Sequence, residues 1–156
     1  MNIIASKIIE ILREGLSTQR GIQTFYIGNP NDLAAADLPC IFVTPQTKTI
    51  EQLDNVHDLI TGVFVIGVCV DPSKYASKDP DVDKAGMFLM EIEGGRDADG
   101  DPLPHSLAYV LRHNFTLDNA VLHQEHRTVW GEREMAGGVA QEIHCYFTVR
   151  QKVRNT

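Results

Sequence analysis

Apolar residues recur at helical spacing over residues 2–16. Ile4, Ile8, Ile11, Leu12 and Leu16 share a face there, while Lys7, Glu10, Arg13 and Glu14 lie mainly elsewhere around the wheel, which predicts an amphipathic helix. Gly15 and Gly21 bracket its expected end. Residues 23–27 read as a short strand carrying two aromatics, and residues 28–39 as a loop rich in Gly, Asn, Asp, Pro and Ala. Cys40 to Thr44 is a continuous apolar run between Pro39 and Pro45, the pattern of a short buried strand.

The middle of the chain carries the strongest pattern. Lys48 to Leu53 can pair with Leu59 to Val70 across the polar turn Asp54 to Asp58, forming a long hairpin. In its second arm Ile60, Phe64, Ile66, Val68 and Val70 line one face, and Leu59, Thr61, Val63, Val65 and Cys69 line the other. Gly62 and Gly67 fall inside it and signal bends, bulges or a close backbone approach. A strand apolar on both faces is covered on both faces, by the chain's own helices or by another subunit.

Residues 71–78 form a polar linker. Asp79-Pro80 is an expected helix start and Gly94-Gly95 an expected stop, with Val82, Ala85, Phe88, Leu89 and Ile92 as the stripe between them. Residues 95–104 read as an acidic loop and residues 103–114 as a short helix. A last strand pair is expected at residues 120–130 and 139–150, joined by residues 131–138, a loop too long for a tight turn. In the second strand Val139, Ile143, Cys145, Phe147 and Val149 alternate with Glu142, His144, Thr148 and Arg150. Residues 151–156 read as a flexible polar tail on a single domain, 1–156. The order predicts an α+β fold: a mixed, mainly antiparallel sheet with a long hairpin, flanked by an N-terminal helix and two central helices.

Composition adds limits. At 156 residues with 43% hydrophobic content, the chain can bury one core without a disulfide or metal staple. A formal net charge of −7 argues against gripping nucleic acid. Arg127, Arg133, Arg150, Lys152 and Arg154 come closest to a basic cluster, but Glu125, Glu132, Glu134 and Glu142 dilute it. Cys40, Cys69 and Cys145 are odd in number, widely spaced and set in apolar runs, so buried free thiols are expected. The N-terminus lacks the charge pattern of a signal peptide, and no run approaches the roughly 20 apolar residues of a membrane span.

Candidate chemistry fails on spacing. Asp97, Asp99 and Asp101 match the first ligand positions of an EF-hand loop, but Pro102 and Ala108 stand where Gly and Glu are required. His123 and His126 are three apart in a strand-like segment, which sends the two rings to opposite faces. His144 and Cys145 are neighbours on a strand and diverge in the same way, so they form no nucleophile–base pair. No catalytic residue, metal or cofactor is expected.

Four features together resemble the tail-terminator and tail-completion proteins found at the neck of long-tailed bacteriophages. They are the N-terminal amphipathic helix in a chain of this length; Phe25-Tyr26-Ile27-Gly28-Asn29-Pro30 leading through Asp37-Leu38-Pro39 into Cys40-Ile41-Phe42-Val43-Thr44-Pro45; the long strand ending Val68-Cys69-Val70-Asp71, followed by a linker and a helix; and the closing strand from Glu142 to Arg150 with its basic tail. The resemblance implies a non-enzymatic virion protein, assembled in the host cytoplasm into a hexameric ring. Such a ring caps the tail-tube protein and joins it to the head connector, and DNA passes through without specific binding. It directs attention to Ile50, Leu53, Val56, His57, Leu59, Thr61, Val63 and Val65 as subunit-interface residues. Asp97, Asp99, Asp101, Glu132 and Glu134 become candidates for lumen or partner loops. Other neck or assembly roles stay open (a head-completion or connector adaptor, a baseplate subunit), as does a small enzyme or ligand-binding domain.

Overall fold

The structure, a computed structural model, describes residues 2–75, 83–114, 116–117 and 120–155. Helix α1 (Asn2–Arg20) buries Ile4, Ala5, Ile8, Ile9, Leu12 and Leu16 along one stripe, as the periodicity requires. It runs past residue 16 and through Gly15, and ends between the two bracketing glycines. A β-carbon at Gly15 would lie 2.7 Å from the Val110 side chain, so the glycine is where α1 and a later helix approach each other closely. The helix stops at Gly21, whose φ of 64° is the left-handed conformation that closes many helices.

Strand β1 (Thr24–Ile27) lies parallel to the first four residues of β2 (Cys40–Gln52). Parallel neighbours need a crossover, and residues 28–39 supply it, with a single 3-10 turn at Ala35–Asp37. Pro45 does not end β2. The strand has lost its β1 neighbour by that point, and the ladder shifts register between Pro45 and Thr47; an edge and a bulge are where a strand tolerates proline. Strand β3 (His57–Val70) is central, antiparallel to β2 on one side and to β6 (Gly138–Arg154) on the other. Strands β4 (Thr116–Leu117) and β5 (Ala120–Met135) complete a six-stranded sheet ordered β1-β2-β3-β6-β5-β4. The fold is α+β with a mixed, mostly antiparallel sheet, as expected.

The closing hairpin differs from expectation. Residues 131–135 continue β5, and a two-residue turn, Ala136-Gly137 with Gly137 at φ 85°, leads directly into β6. Gly131 to Glu134 has the composition of a loop, but it lies at a sheet edge, where charged residues are normal. Residues 151–154, expected as a loose tail, extend β6 and pair with His57–Ile60 of β3.

Helix α2 (Lys84–Gly94) begins at Asp83, whose carboxylate accepts from the Gly86 N–H at 2.9 Å; Asp79 and Pro80 lie outside the described residues. Helix α3 (Leu107–Arg112) is capped by Ser106 and buries Leu107, Ala108, Val110 and Leu111. The three helices share one face of the sheet. They cover Ile41, Val43, Phe64, Ile66, Val68, Ile143, Cys145, Phe147 and Val149. On the other face the 28–39 crossover drops Leu33 and Leu38 onto Cys40, Phe42, Val65, Cys69 and Ala140, a second and smaller core. Gly67 is essential to it. Phe42 lies directly across the ladder from Gly67, and a β-carbon there would meet its ring at 2.1 Å.

Candidate functional site

The two-sided apolar strand divides at Phe64. From Phe64 to Val70 every side chain is buried, under helices on one face and under the 28–39 crossover on the other. From Pro45 through the hairpin tip to Thr61 none is fully buried. This outer part forms an arm of β2, β3 and the end of β6. Its tip is held by Asp54, whose carboxylate accepts from the Val56 and His57 N–H groups, each at 2.7 Å. These bonds, the Val56 one foremost, hold the Asp54 carboxyl below its ordinary range. Ile50 and Leu53 stand 57% and 48% exposed on the arm, while Val56, His57, Leu59, Thr61 and Val63 are half-buried. Val65 is 6% exposed and belongs to the chain's own second core. The expected interface residues therefore do gather on one arm, Val65 excepted.

The sheet also has two open edges. β1 covers β2 only as far as Val43, so Thr44 to Gln52 has a strand neighbour on one side alone among the described residues. β4 covers β5 only at Ala120 and Val121, so the outer side of Arg127 to Met135 is likewise without a strand among the described residues. An open edge presents backbone donors and acceptors in a row that can accept a further strand. Glu132 and Glu134 are exposed on this β5 edge, beside Trp130, which is 49% exposed.

Asp97, Asp99 and Asp101 are exposed and occupy a self-contained turn. The Asp97 carboxylate accepts from the Asp99 and Asp101 N–H groups at 2.9 and 3.0 Å, and the Asp97 N–H donates to the Asp101 carbonyl at 3.0 Å. The Asp97 carboxylate is thus engaged in holding the loop's shape. No described contact joins this loop to Glu132 or Glu134. Among the described residues no group of histidines, cysteines and carboxylates is arranged to hold a metal ion. His123 and His126 lie on β5, but their side chains are outside what is described.

A buried polar cluster escaped the sequence reading. Glu142 points to the loop-covered face, where its carboxylate accepts from Arg133 Nε at 2.9 Å and from the Cys69 thiol at 3.3 Å. Arg133 also donates to the Pro30 carbonyl at 2.6 Å, tying the crossover to the closing hairpin. His144 Nε2 lies 3.3 Å from the same carboxylate, close enough to attract it when protonated but not aligned as a hydrogen bond. Burial pushes the Glu142 carboxyl up; His144, the Cys69 thiol and the Arg133 charge outweigh that and hold it at about 2. Cys69 is raised by its hydrogen bond with Cys40, by burial and by the Glu142 charge, so it stays protonated. Cys145 is pushed up to about 12, chiefly by burial, and lies on the opposite face of β6 from His144. All three thiols are free and buried; Cys69 and Cys145 are held in the unreactive form, whereas the hydrogen bond from Cys69 draws the Cys40 thiol below its ordinary value. The signal for the cluster was a two-residue turn at Ala136-Gly137, which sets Arg133 diagonally across the ladder from Glu142.

No described helix is long and apolar enough to cross a membrane. No protein-family model matches the chain, and no curated protein matches it.

Proposed function

We propose that this chain is a structural subunit that assembles with copies of itself, as a ring protein at the neck of a tailed bacteriophage. The observation that carries this reading is the arm. The inner half of β3 is covered by the chain's own helices and crossover, while the arm keeps Ile50, Leu53, Leu59, Ile60 and Val63 without full cover. Apolar residues on a projecting, edge-bearing arm gain most by meeting another protein surface. The segment order likens the chain to tail terminators and tail-completion proteins, and a ring is the assembly that likeness implies. Repeated head-to-tail contact between identical subunits closes into a ring when the rotation permits. The acidic balance fits a lumen through which DNA moves without adhering.

Negative-stain imaging of purified tail tubes mixed with the protein tests the reading. A ring seated at one end of each tube, with tube length fixed thereafter, is the expected result. Bare tube ends at saturating protein would contradict it.

A further inference from the structure

If the chain self-assembles as proposed above, its two open edges specify how. Counting across the sheet, β2 and β6 run one way and β3 and β5 the other. Trp130 lies level with Ile41 across the sheet, through Ile143 and Val68, and Ile50 lies level with Ala120. A second copy in the same orientation, displaced along the strands by about nine residues or roughly 30 Å, therefore brings the open part of its β5 next to the open part of β2, antiparallel, with the helix-covered faces on the same side. We propose that Thr47–Gln52 of one subunit pairs with Thr128–Arg133 of the next, continuing a single sheet from subunit to subunit.

The side chains select one register. Through their partners in the ladder, Lys48, Ile50 and Gln52 face the helix side on β2, and Thr128, Trp130, Glu132 and Glu134 face it on β5. Ile50 and Trp130 are the exposed large apolar residues of these two sets. Placing them opposite each other sets Lys48 opposite Glu132 and Gln52 opposite Thr128. On the other face Glu51 falls one diagonal step from Arg127, a second opposite-charge pair within reach. A slip of one residue is excluded because it would turn one strand's side chains to the wrong face. A slip of two sets Ile50 against Glu132 or Thr128 and loses the apolar pair. One end is bounded: β1 stops opposite Val43 on the giving strand, and Ala34 bridges Ala136 at the end of the receiving one.

This contact is heterologous: each subunit gives one edge and receives on the other, so it propagates until it closes. The charges at Lys48, Glu51, Glu132 and Glu134 discourage indiscriminate edge pairing and leave this register favoured.

Disulfide trapping tests it, with the native thiols buried and out of the way. The double variant Ile50→Cys/Trp130→Cys, oxidised with glutathione disulfide, should give a ladder of covalent multimers on a non-reducing gel. A mixture of the two single variants should give dimers, and each single variant alone should give none. If light scattering shows an oligomer but the double variant stays a single band, the edge pairing is wrong while self-assembly stands. Cross-linking of Ile50→Cys alone would mean a two-fold β2–β2 contact and would also overturn it. A protein that is monomeric throughout removes both readings. Surface charge exchange gives a second test, independent of Trp130. Lys48→Glu should weaken assembly about tenfold, and adding Glu132→Lys should restore it, because an attractive pair becomes repulsive and then attractive again. No effect of Lys48→Glu would count against the register.

Discussion

Gly67 is the position at which the second core depends on the absence of a side chain. Gly67→Ala drives a methyl into the Phe42 ring and should cost about 1–3 kcal/mol, read by chemical denaturation, with part recovered when Phe42 is shortened to leucine. Glu142 makes a prediction in pH. Its carboxyl lies at about 2 in the folded chain against 4.5 as the ordinary value. A depressed carboxyl contributes stability above its unfolded value, and that contribution is lost as pH falls from about 4.5 to about 2. Thermal unfolding across that window should show the loss, and Glu142→Gln should flatten it. Glu142→Ala should cost about 3 kcal/mol at neutral pH, because Arg133 is then left largely buried without its partner. The three thiols should react with a maleimide only after denaturation, counted by mass spectrometry. Their burial was legible from the apolar runs around them. The pairing of Cys69 with Glu142 was not, because alternation along β6 placed Glu142 on a polar face and could not say that the 28–39 crossover covers it.

Among the elements, those built on a clear period were legible: α1 and the β2–β3 hairpin lie where their spacing puts them, and α2 carries Ala85, Leu89 and Ile92 of its expected stripe but starts at Asp83. Errors came from residues read as punctuation. Gly15 and Pro45 both look like stops, yet one is a site of close helix packing and the other sits on an open edge where its missing N–H costs no ladder bond. Residues 131–135 and 151–154 look polar enough for loops, yet both complete a ladder whose partner strand is far away in sequence. The last case is testable. Amides of residues 150–154 should exchange slowly with solvent, in step with those of His57–Ile60. Removing residues 150–156 should loosen the arm, speeding exchange over residues 57–61 while leaving the Phe64–Val70 amides protected.

At the scale of the molecule, one sheet serves two purposes along its length. One end is closed over by three helices and a crossover and stabilises the subunit. The other projects as an arm with uncovered apolar residues and an open β2 edge, and the open β5 edge at the covered end suits it in direction and charge. The division was half visible in the sequence, where β3 is apolar on both faces throughout. Which half the chain covers for itself depended on where the helices ended up. Helix periodicity says which side of a helix is buried, not which stretch of a strand it lies upon. The mass of the assembled particle tests the self-assembly reading most directly. Measured by native mass spectrometry over a range of dilutions, the protein is predicted to give a discrete, closed multiple of the subunit mass, with six the number implied by the resemblance. A subunit that remains a monomer at every concentration would contradict it.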